Sequence, residues 1–432
     1  MAEALFTTVS ELANRENIKP NERSVQSCHL HFNGPGASGF GVKRTAMLLP
    51  ESAMLLVAPP CCGRHGTITG SKTGFEDRIF YLQMNERDLV TGAYLKRIPE
   101  AAGLIVERRK FKAILLCMTC VDAMLGTDLE RISKEIQRAV GLPVVACYMD
   151  PISREGKQAP MVSVQRSIMG CLEKSEMDDR IVNLLGNFVP LDKSSELYEL
   201  LKDKGVEHLA QISACDTYLE YQQMAKARLS VVIHPQAEAS AKDMEKKLGI
   251  PYVRLDNAYD PERIAQQYEK LGNALGVKFE IEKYKLRAQA ALKDFVNRRK
   301  GIRIAVGEAV SGNPLELAET FIDAGIDVSF VLRNIITAAD IEILKRLEKK
   351  QPELRVYSGV HPSMQTADLP RAELALGLDA GYFLPDAASV NWGTEYQNFG
   401  FENLVAILKE ADRQIEEPVS HKAQMHGSYL TV

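Results

Sequence analysis

Residues 53–63 read AMLLVAPPCCG, an apolar run followed by two prolines, two cysteines and a glycine. An apolar run without polar alternation is typical of a strand that is buried on both faces of a parallel sheet. We therefore expect an α/β protein in which residues 53–58 form an interior strand. The carboxyl end of this strand leads into Cys61 and Cys62, and open α/β sheets bind their ligands at that end of their strands.

Similar apolar runs alternate with helical stretches along the whole chain. Further strands are predicted at residues 113–116, 143–147, 181–185, 208–212, 229–233, 302–306, 327–332, 354–358 and near 374. Helices are predicted at residues 129–140 and 237–248, each ended by a glycine, and over the charged stretch 261–300. In a chain of 432 residues this pattern fits three βαβ-type units better than one sheet. We predict domains at residues 1–178, 179–275 and 276–432.

Composition and charge limit the classes of partner. Hydrophobic residues make up 45% and charged residues 25% of the chain, which describes a globular protein with material for several cores. The net charge of -4 and the pI near 6.1 give no reason to expect nucleic acid or an anionic membrane surface as a partner. The first residues contain no long apolar run, and no stretch approaches the roughly 20 apolar residues that span a bilayer. We therefore expect a cytoplasmic protein.

The cysteines are concentrated in one part of the chain. Those in the first 171 residues are Cys28, Cys61, Cys62, Cys117, Cys120, Cys147 and Cys171, and only Cys215 lies beyond them. Their number is small for a disulfide framework in a chain of this size, and thiols in the cytosol stay reduced. Cysteines confined to one domain therefore suggest metal ligation or redox chemistry there.

Three of these cysteines suit an iron–sulfur cluster. Cys62 and Cys120 each follow a predicted strand within a few residues, so we expect the two thiols at one edge of a sheet. Cys28 precedes a glycine-containing loop. Glycines such as Gly63 let the backbone approach a cluster and direct N–H groups at its sulfides. We predict that Cys28, Cys62 and Cys120 ligate an iron–sulfur cluster.

Three other interpretations of the cysteines remain open. Cys117 and Cys120 form a C-x-x-C pair of the kind that acts as a redox dithiol, although the usual thioredoxin surroundings are missing. Structural zinc is a second interpretation, and its ligands would be drawn from Cys28, His29, His31, Cys62 and His65. Buried, unreactive thiols are the third interpretation, and it applies to Cys117, Cys147 and Cys171.

Two glycine-rich segments resemble nucleotide-binding loops without meeting their requirements. Residues 34–39 (GPGASG) have the spacing G-x-G-x-x-G, but only a short run precedes them and Pro35 lies inside. Residues 66–73 (GTITGSKT) approach a P-loop, but Ser71 stands where the second glycine belongs. We therefore expect that this chain binds no nucleotide.

Several segments form an ordered set along the chain. The set consists of cysteines, a strand that ends in a proline–cysteine–glycine turn, and short motifs in the later domains. They lie at Cys28, 57–63 (VAPPCCG, with Cys62 as ligand), 85–93 (NERDLVTGA), 119–129 (TCVDAMLGTDL, with Cys120 and Gly126), 244–252 (MEKKLGIPY), Trp392 and 399–402 (FGFE). In this order they resemble the motifs of the nitrogenase component 1 superfamily, and the resemblance covers almost the whole chain.

The resemblance implies three Rossmann-like domains with parallel sheets around a central cavity. It also implies a [4Fe–4S] or P-cluster-like site at a subunit interface, to which Cys28, Cys62 and Cys120 contribute. Three thiolates are one fewer than a cubane cluster usually has. A second subunit, identical or paralogous, would supply the rest, and Cys61 and Cys117 are further candidates within this chain.

The sequence departs from true nitrogenase subunits at the catalytic cofactor. In register, the place of the cofactor cysteine falls at Ile233 or His234, and the place of the cofactor histidine falls near Val390. Neither expected ligand type is present, so we do not expect dinitrogen reduction. His234 and Cys215, which follow predicted strands, are our candidates for a ligand or proton donor in the cavity.

The main functional prediction is a nitrogenase-like oxidoreductase component. It would accept electrons from a separate ATP-hydrolysing iron protein and reduce a substrate that the sequence does not identify. The alternative is a scaffold or carrier on which a metallocluster is assembled. A third hypothesis, a zinc-stabilised binding protein, keeps the fold and removes the redox role.

Overall fold

The structure is a computed structural model that describes residues 5–15, 18–25, 30, 32, 41–60, 76–148, 159–186, 189–391, 397–420 and 423–424. The chain divides into two compact units. The first unit consists of Met1–Ser38, Leu191–Lys204 and Leu255–Val432, and the second consists of Gly39–Pro190 and Gly205–Arg254. In the described parts of the chain, no helix combines the length and the apolar composition needed to cross a bilayer.

The strands are short, and most belong to parallel sheets. They are β1 (Phe6–Thr8), β2 (Glu22–Arg23), β3 (Ser52–Ala58), β4 (Ile79–Gln83), β5 (Ala113–Met118), β6 (Val144–Tyr148), β7 (Asp178–Leu185), β8 (His208–Ala210), β9 (Ala227–Val232), β10 (Tyr252–Arg254), β11 (Arg303–Val306), β12 (Asp327–Leu332), β13 (Ile335–Ile336), β14 (Arg355–Tyr357), β15 (Leu374–Leu376) and β16 (Ala388–Val390).

The helices connect these strands. They are α1 (Val9–Ala13), α2 (Gly41–Ala46), α3 (Glu86–Thr91), α4 (Tyr94–Arg108), α5 (Cys120–Met124), α6 (Leu129–Val140), α7 (Pro160–Met169), α8 (Leu197–Lys202), α9 (Tyr218–Gln223), α10 (Glu238–Leu248), α11 (Pro261–Leu275), α12 (Glu282–Arg298), α13 (Pro314–Asp323), α14 (Ala338–Glu348), α15 (Leu378–Phe383) and α16 (Phe401–Glu416).

The second unit contains two four-stranded parallel sheets. Their strand orders are β4-β3-β5-β6 and β10-β9-β7-β8. Apolar residues from both sheets and from α7 form one continuous core, so the sheets share a hydrophobic interior. Interior strands β3 and β5 are buried along their entire length, which explains why their sequences lack polar alternation.

The first unit contains a six-stranded sheet in the order β1-β14-β12-β11-β15-β16. Its strands are parallel except β1, which pairs antiparallel with β14 at the edge. A separate two-stranded antiparallel pair joins β13 to β2. The predicted class of α/β protein with parallel sheets is therefore confirmed, while the three domain boundaries remain a prediction.

The structure differs from the predicted elements in several places, which include one long helical stretch and one edge strand. The stretch 261–300 is two helices, α11 and α12, because Gly276 ends the first in a left-handed conformation (φ 69°). Strand β4 was not predicted, because it is a half-exposed edge strand and lacks the unbroken apolar run of its neighbours. By contrast, α6 has the predicted bounds, since Gly141 adopts the left-handed conformation that ends it.

Candidate functional site

Cys120 lies at the carboxyl end of interior strand β5. The strand ends at Met118, Thr119 follows as the N-cap, and Cys120 is the first residue of the short helix α5. Its thiol is half-buried and makes no hydrogen bond to any residue that the structure describes. A thiol in this position keeps its sulfur available for a ligand, so Cys120 fits the role of a cluster thiolate.

A buried polar network holds the segment around Cys120 in place. The Asp122 carboxylate accepts hydrogen bonds from the Tyr94 hydroxyl at 2.9 Å and from the Thr119 N–H at 3.3 Å. The Tyr94 hydroxyl also lies 3.0 Å from the Thr127 hydroxyl. Burial raises the pKa of Asp122 and raises that of Tyr94 to about 12. These contacts join both sides of the Cys120 turn to helix α4.

Gly126 closes this turn. It has a φ of 66°, and its N–H donates to the Ala123 carbonyl at 3.2 Å. The next N–H, that of Thr127, donates to the Asp122 carbonyl at 3.0 Å. A left-handed residue is needed here, which gives this predicted site residue a backbone role.

The neighbouring strand β3 ends at the same level as β5. Val57 pairs in register with Met118, and parallel neighbours lie about 4.8 Å apart. The chain leaves β3 through Pro59 and Pro60 toward Cys61 and Cys62. Cys61, Cys62 and Gly63, like Cys28, lie outside the described residues. Their participation in the site therefore stays a prediction.

Cys117 occupies a different environment from Cys120. It is fully buried within β5, and its Cα partner on β6 is Cys147. Both side chains belong to the core that the two sheets share. A hydrogen bond between the two thiols, with burial, raises the pKa of Cys147 well above its usual range. This geometry favours the interpretation of Cys117 as a core thiol over that of a ligand or redox partner of Cys120.

Two further thiols are held protonated by their surroundings. Cys215 donates a hydrogen bond to the Gln211 carbonyl at 3.2 Å. Burial, reinforced by Glu220 and Asp216, raises its pKa to about 12. Burial also raises the pKa of Cys171 to about 12. Because the thiolate is the reactive form, this geometry weighs against the predicted catalytic role of Cys215.

His234 follows the carboxyl end of β9. Its Nδ1 accepts a hydrogen bond from the Gln236 N–H at 3.3 Å, and burial lowers its pKa to about 4. Val390, at the place of a cofactor histidine in the resemblance, is a buried residue of strand β16. Within the described residues, no three histidine, cysteine, aspartate or glutamate side chains are grouped as a metal site.

The six-stranded sheet carries a charged cluster that the sequence analysis missed. After β11, Glu308 accepts a hydrogen bond from the Asn334 N–H at 2.8 Å and lies 3.4 Å from Arg333. Arg333 also pairs with buried Asp340 at 2.7 Å. The Glu308 N–H donates to buried Asp379 at 2.7 Å. The dipeptide Gly-Glu directly after a predicted strand was the available sequence signal.

Comparisons with known proteins agree with this fold. The sequence model of the family described as Nitrogenase component 1 type Oxidoreductase matches residues 38–384. The solved structure described as nitrogenase Cp1 at pH 6.5 matches with a TM-score of 0.70 at 15% identity, over 94% of each chain. At that identity the match shows the fold alone.

Curated relatives include a nitrogenase alpha chain and cofactor biosynthesis proteins. The nitrogenase molybdenum-iron protein alpha chain of Methanococcus maripaludis is 28% identical over 206 residues, which covers 46% of this chain and 43% of that protein. The nitrogenase iron-molybdenum cofactor biosynthesis protein NifE of Clostridium pasteurianum is 24% identical and covers 66% and 65%. NifE of Rhodobacter capsulatus is 21% identical and covers 97% and 94%. The chain thus spans less than two thirds of the first two relatives.

Proposed function

The chain belongs to the nitrogenase component 1 type oxidoreductase family, and on that premise we propose that it is a scaffold or carrier for a metallocluster. In this proposal Cys28, Cys62 and Cys120 hold an iron–sulfur cluster, of the [4Fe–4S] or P-cluster-like kind. The protein works in the cytoplasm. Several of its relatives are cofactor biosynthesis proteins by name, which supports a scaffold more than a reductase.

The position of Cys120 is the observation that carries this proposal. Its thiol makes no hydrogen bond to the described residues, unlike Cys215 and Cys171, whose thiols donate to carbonyl groups. Strands β3 and β5 end side by side, so the short connection from Ala58 to Cys62 starts next to the Cys120 turn. When bound, the cluster would accept and release electrons, and Cys120 would supply one of its thiolates.

A second subunit completes the proposed site. Cubane clusters usually have four thiolates, and the proposed set in this chain has three. The exposed side chains of Met124 and Leu125 lie on the same turn as Cys120, with 75% and 50% of their surfaces accessible. An apolar surface beside a ligand is suited to contact with another subunit, which would be a second copy or a paralogue.

An oxidoreductase component is the second candidate function. The family description names oxidoreductases, and one relative is a nitrogenase alpha chain. In this case a separate ATP-hydrolysing iron protein would deliver electrons to the cluster. His234 would then face the substrate. Turnover with such an iron protein distinguishes a reductase from a scaffold, which would instead transfer its cluster to an acceptor.

Metal analysis of cysteine variants tests the cluster. Iron, sulfide and zinc are quantified in anaerobically purified protein, and the reduced protein is examined by EPR. We expect the variant with both Cys62→Ala and Cys120→Ala to lose most of its iron and sulfide, together with the cluster EPR signal. The loss follows because two of three thiolates are removed.

The control for this experiment is Cys171→Ala, which removes a half-buried thiol whose burial holds it protonated. We expect this variant to keep the wild-type content of iron and sulfide. Circular dichroism of all variants identifies loss of metal through misfolding. Zinc without sulfide in the wild type, or full iron retention in the double variant, would contradict the cluster assignment.

A further inference from the structure

Helix α5, which carries Cys120, is too short to be stable through its own hydrogen bonds. It has five residues, Cys120–Met124, and isolated helices of fewer than about 12 residues are marginal in water. Along residues 120–128 only Asp122 is buried, with 2% of its surface accessible. The position of α5 therefore depends on the contacts of Asp122, together with the packing of half-buried Val121 against the core.

The Tyr94 hydroxyl joins the start of this turn to its end. It donates to Asp122 Oδ1 at 2.9 Å, and its oxygen lies 3.0 Å from the Thr127 hydroxyl. A tyrosine hydroxyl has one hydrogen, so the Thr127 hydroxyl is the donor in the second contact. One oxygen atom thus connects two residues that lie on either side of Gly126, whose left-handed backbone closes the turn.

Tyr94 itself is fixed by the interior of the protein. It is the first residue of the 15-residue helix α4, has 1% of its surface accessible and belongs to the same core as Ile98. Asp122 Oδ2 accepts the Thr119 N–H at 3.3 Å, so the carboxylate also holds the residue directly before Cys120. These contacts form a continuous path from the core to the backbone on which the Cys120 thiol depends.

We infer that Tyr94 is a positioning residue for Cys120: its hydroxyl fixes the α5 turn, so that the thiol is in place before a cluster binds. A ligand that is ordered in advance loses less conformational entropy when it binds. The inference rests on the proposed function for the cluster itself, whereas the order of the turn is a property of the metal-free chain.

Hydrogen exchange of the metal-free full chain tests the order of the turn. The N–H groups of Leu125 and Thr127 donate to carbonyl groups within the turn at 3.0 Å, so opening of the turn exposes them to exchange. We expect Tyr94→Phe to raise the exchange rate of residues 120–127 about five- to tenfold, because the contacts of the hydroxyl are lost. Unchanged exchange in Tyr94→Phe would overturn the inference.

Tyr221→Phe is the matched control for this substitution. The Tyr221 hydroxyl is also buried and donates to the Ile168 carbonyl at 2.5 Å, but it lies in the core that the two sheets share. We expect both variants to lose similar stability in urea, because each loses a buried hydroxyl with its hydrogen bond. Only Tyr94→Phe should accelerate exchange in residues 120–127.

Release of iron to a ferrous chelator tests the effect on the ligand. In protein reconstituted with iron and sulfide under anaerobic conditions, we expect Tyr94→Phe to release iron about tenfold faster than the wild type. The EPR signal of the reduced protein should also broaden, because Cys120 then occupies a range of positions. Tyr221→Phe should keep the wild-type rate and line width. Iron release that follows urea stability equally in both variants would show a purely structural tyrosine and would overturn the inference.

Two substitutions at Thr127 test the other end of the turn. Thr127→Val removes the hydroxyl and keeps the branched shape, whereas Thr127→Ser keeps the hydroxyl. We expect Thr127→Val to accelerate exchange and iron release about two- to fivefold and Thr127→Ser to stay near the wild type. In the background of Tyr94→Phe, Thr127→Val should add nothing, because the two hydroxyls act through one contact. Fully additive effects would overturn the link between them.

The two kinds of measurement separate this inference from the cluster assignment. A wild type that binds no iron and sulfide would overturn the assignment of Cys120 as a ligand and, with it, its positioning for a cluster. Wild-type retention of iron in Tyr94→Phe would leave the cluster assignment intact and overturn the role of Tyr94 alone.

Discussion

The buried carboxylate of Asp379 binds two backbone N–H groups of the same chain. Its carboxylate accepts the N–H groups of Glu308 and Ala309 at 2.7 and 3.1 Å, after strand β11. A side chain at Gly307 would overlap this carboxylate, so the glycine is required by close approach. Backbone N–H groups at this edge of an α/β sheet often bind phosphate, whereas here they bind the Asp379 carboxylate.

Glu308 should make stability depend on pH near neutrality. Burial raises its pKa to about 7, even with Arg333 beside it, although 22% of the side chain stays exposed. The folded state thus binds a proton more tightly than the unfolded chain, whose glutamate has a pKa near 4.5. The free energy of unfolding should therefore fall as pH rises from 4.5 to 7.

We expect Glu308→Gln to flatten this part of the pH profile by roughly 1–3 kcal/mol, because glutamine has no proton to lose. Urea unfolding at several pH values measures the difference from wild type. Glu353→Gln, at an exposed position, is the control and should leave the profile unchanged. Parallel profiles of wild type and Glu308→Gln would contradict the prediction.

The environments of some single residues could not be predicted from the sequence. From the sequence, Cys117 could be a redox partner of Cys120, a further cluster ligand or a buried, unreactive thiol. Strand β5 is buried on both faces, so its sequence has no alternation to tell which side chains face the shared core. The pairing of Cys117 with Cys147 across two strands became visible only with the register of the sheet.

At the scale of elements, helix α16 depends on a carboxylate from a distant segment. Glu196 accepts the Phe401 N–H at 2.6 Å, the Glu402 N–H at 3.2 Å and the Tyr268 hydroxyl at 2.7 Å. The first N–H groups of a helix have no partner within it, so Glu196 serves as an N-terminal cap from outside. Gly400 has a φ of 93° directly before the helix.

Gly400→Ala should therefore be more destabilising than other substitutions at left-handed glycines. Its Cβ would overlap the Glu196 carboxylate and crowd the Tyr268 hydroxyl, so we expect a loss of about 3–5 kcal/mol. Gly276→Ala is the matched control, because it has a φ of 69° and its Cβ would meet no atom within 4 Å. The control should lose only about 1 kcal/mol.

Urea unfolding of the two variants measures these losses. Equal destabilisation of Gly400→Ala and Gly276→Ala would show that the backbone conformation alone matters and that the contact with Glu196 contributes nothing.

The bounds of several elements could be predicted because local chemistry decides them. Gly141 and Gly249 end α6 and α10 as expected, since a left-handed residue stops a helix. Strand β1 could not be predicted in this way. Its three residues are a strand only because they pair with β14, some 350 residues later in the chain.

At the scale of the whole molecule, the sequence predicted the presence of parallel sheets better than their grouping. Alternating strands and helices indicated parallel sheets. Short connections between these elements limit the order in which the strands can lie in a sheet. The grouping of β7–β10 with β3–β6 in one unit depends on packing between distant segments. Arg166 of α7 and Asp243 of α10, 77 residues apart, form such a contact at 2.5 Å.

The exposed surface around Met124 gives a prediction about assembly. We expect the wild type to sediment as a species larger than a 48.0 kDa monomer, alone or with a paralogous partner. Met124→Lys should shift the distribution toward monomer, because it places a charge where an apolar contact is proposed. The control is Leu286→Lys, which alters an exposed apolar side chain on α12 and should leave sedimentation unchanged.

Sedimentation velocity under anaerobic conditions measures both variants. Assembly of Met124→Lys that equals the wild type would contradict a subunit contact at this turn. The iron content of the same samples indicates whether assembly and cluster retention are lost together, as a shared site requires.

The segment Leu191–Lys204 has a consequence for synthesis of the protein. The Ser195 hydroxyl donates to the Phe399 carbonyl, and Glu196 caps α16, across separations of 204 and 205 residues. Closing loops of that length is entropically costly, and contacts so distant in sequence form late. On the ribosome this segment emerges long before its partners. Until residues 397–402 have been translated, Ser195 and Glu196 lack these partners beside α16, and a nascent chain released earlier cannot complete the first unit.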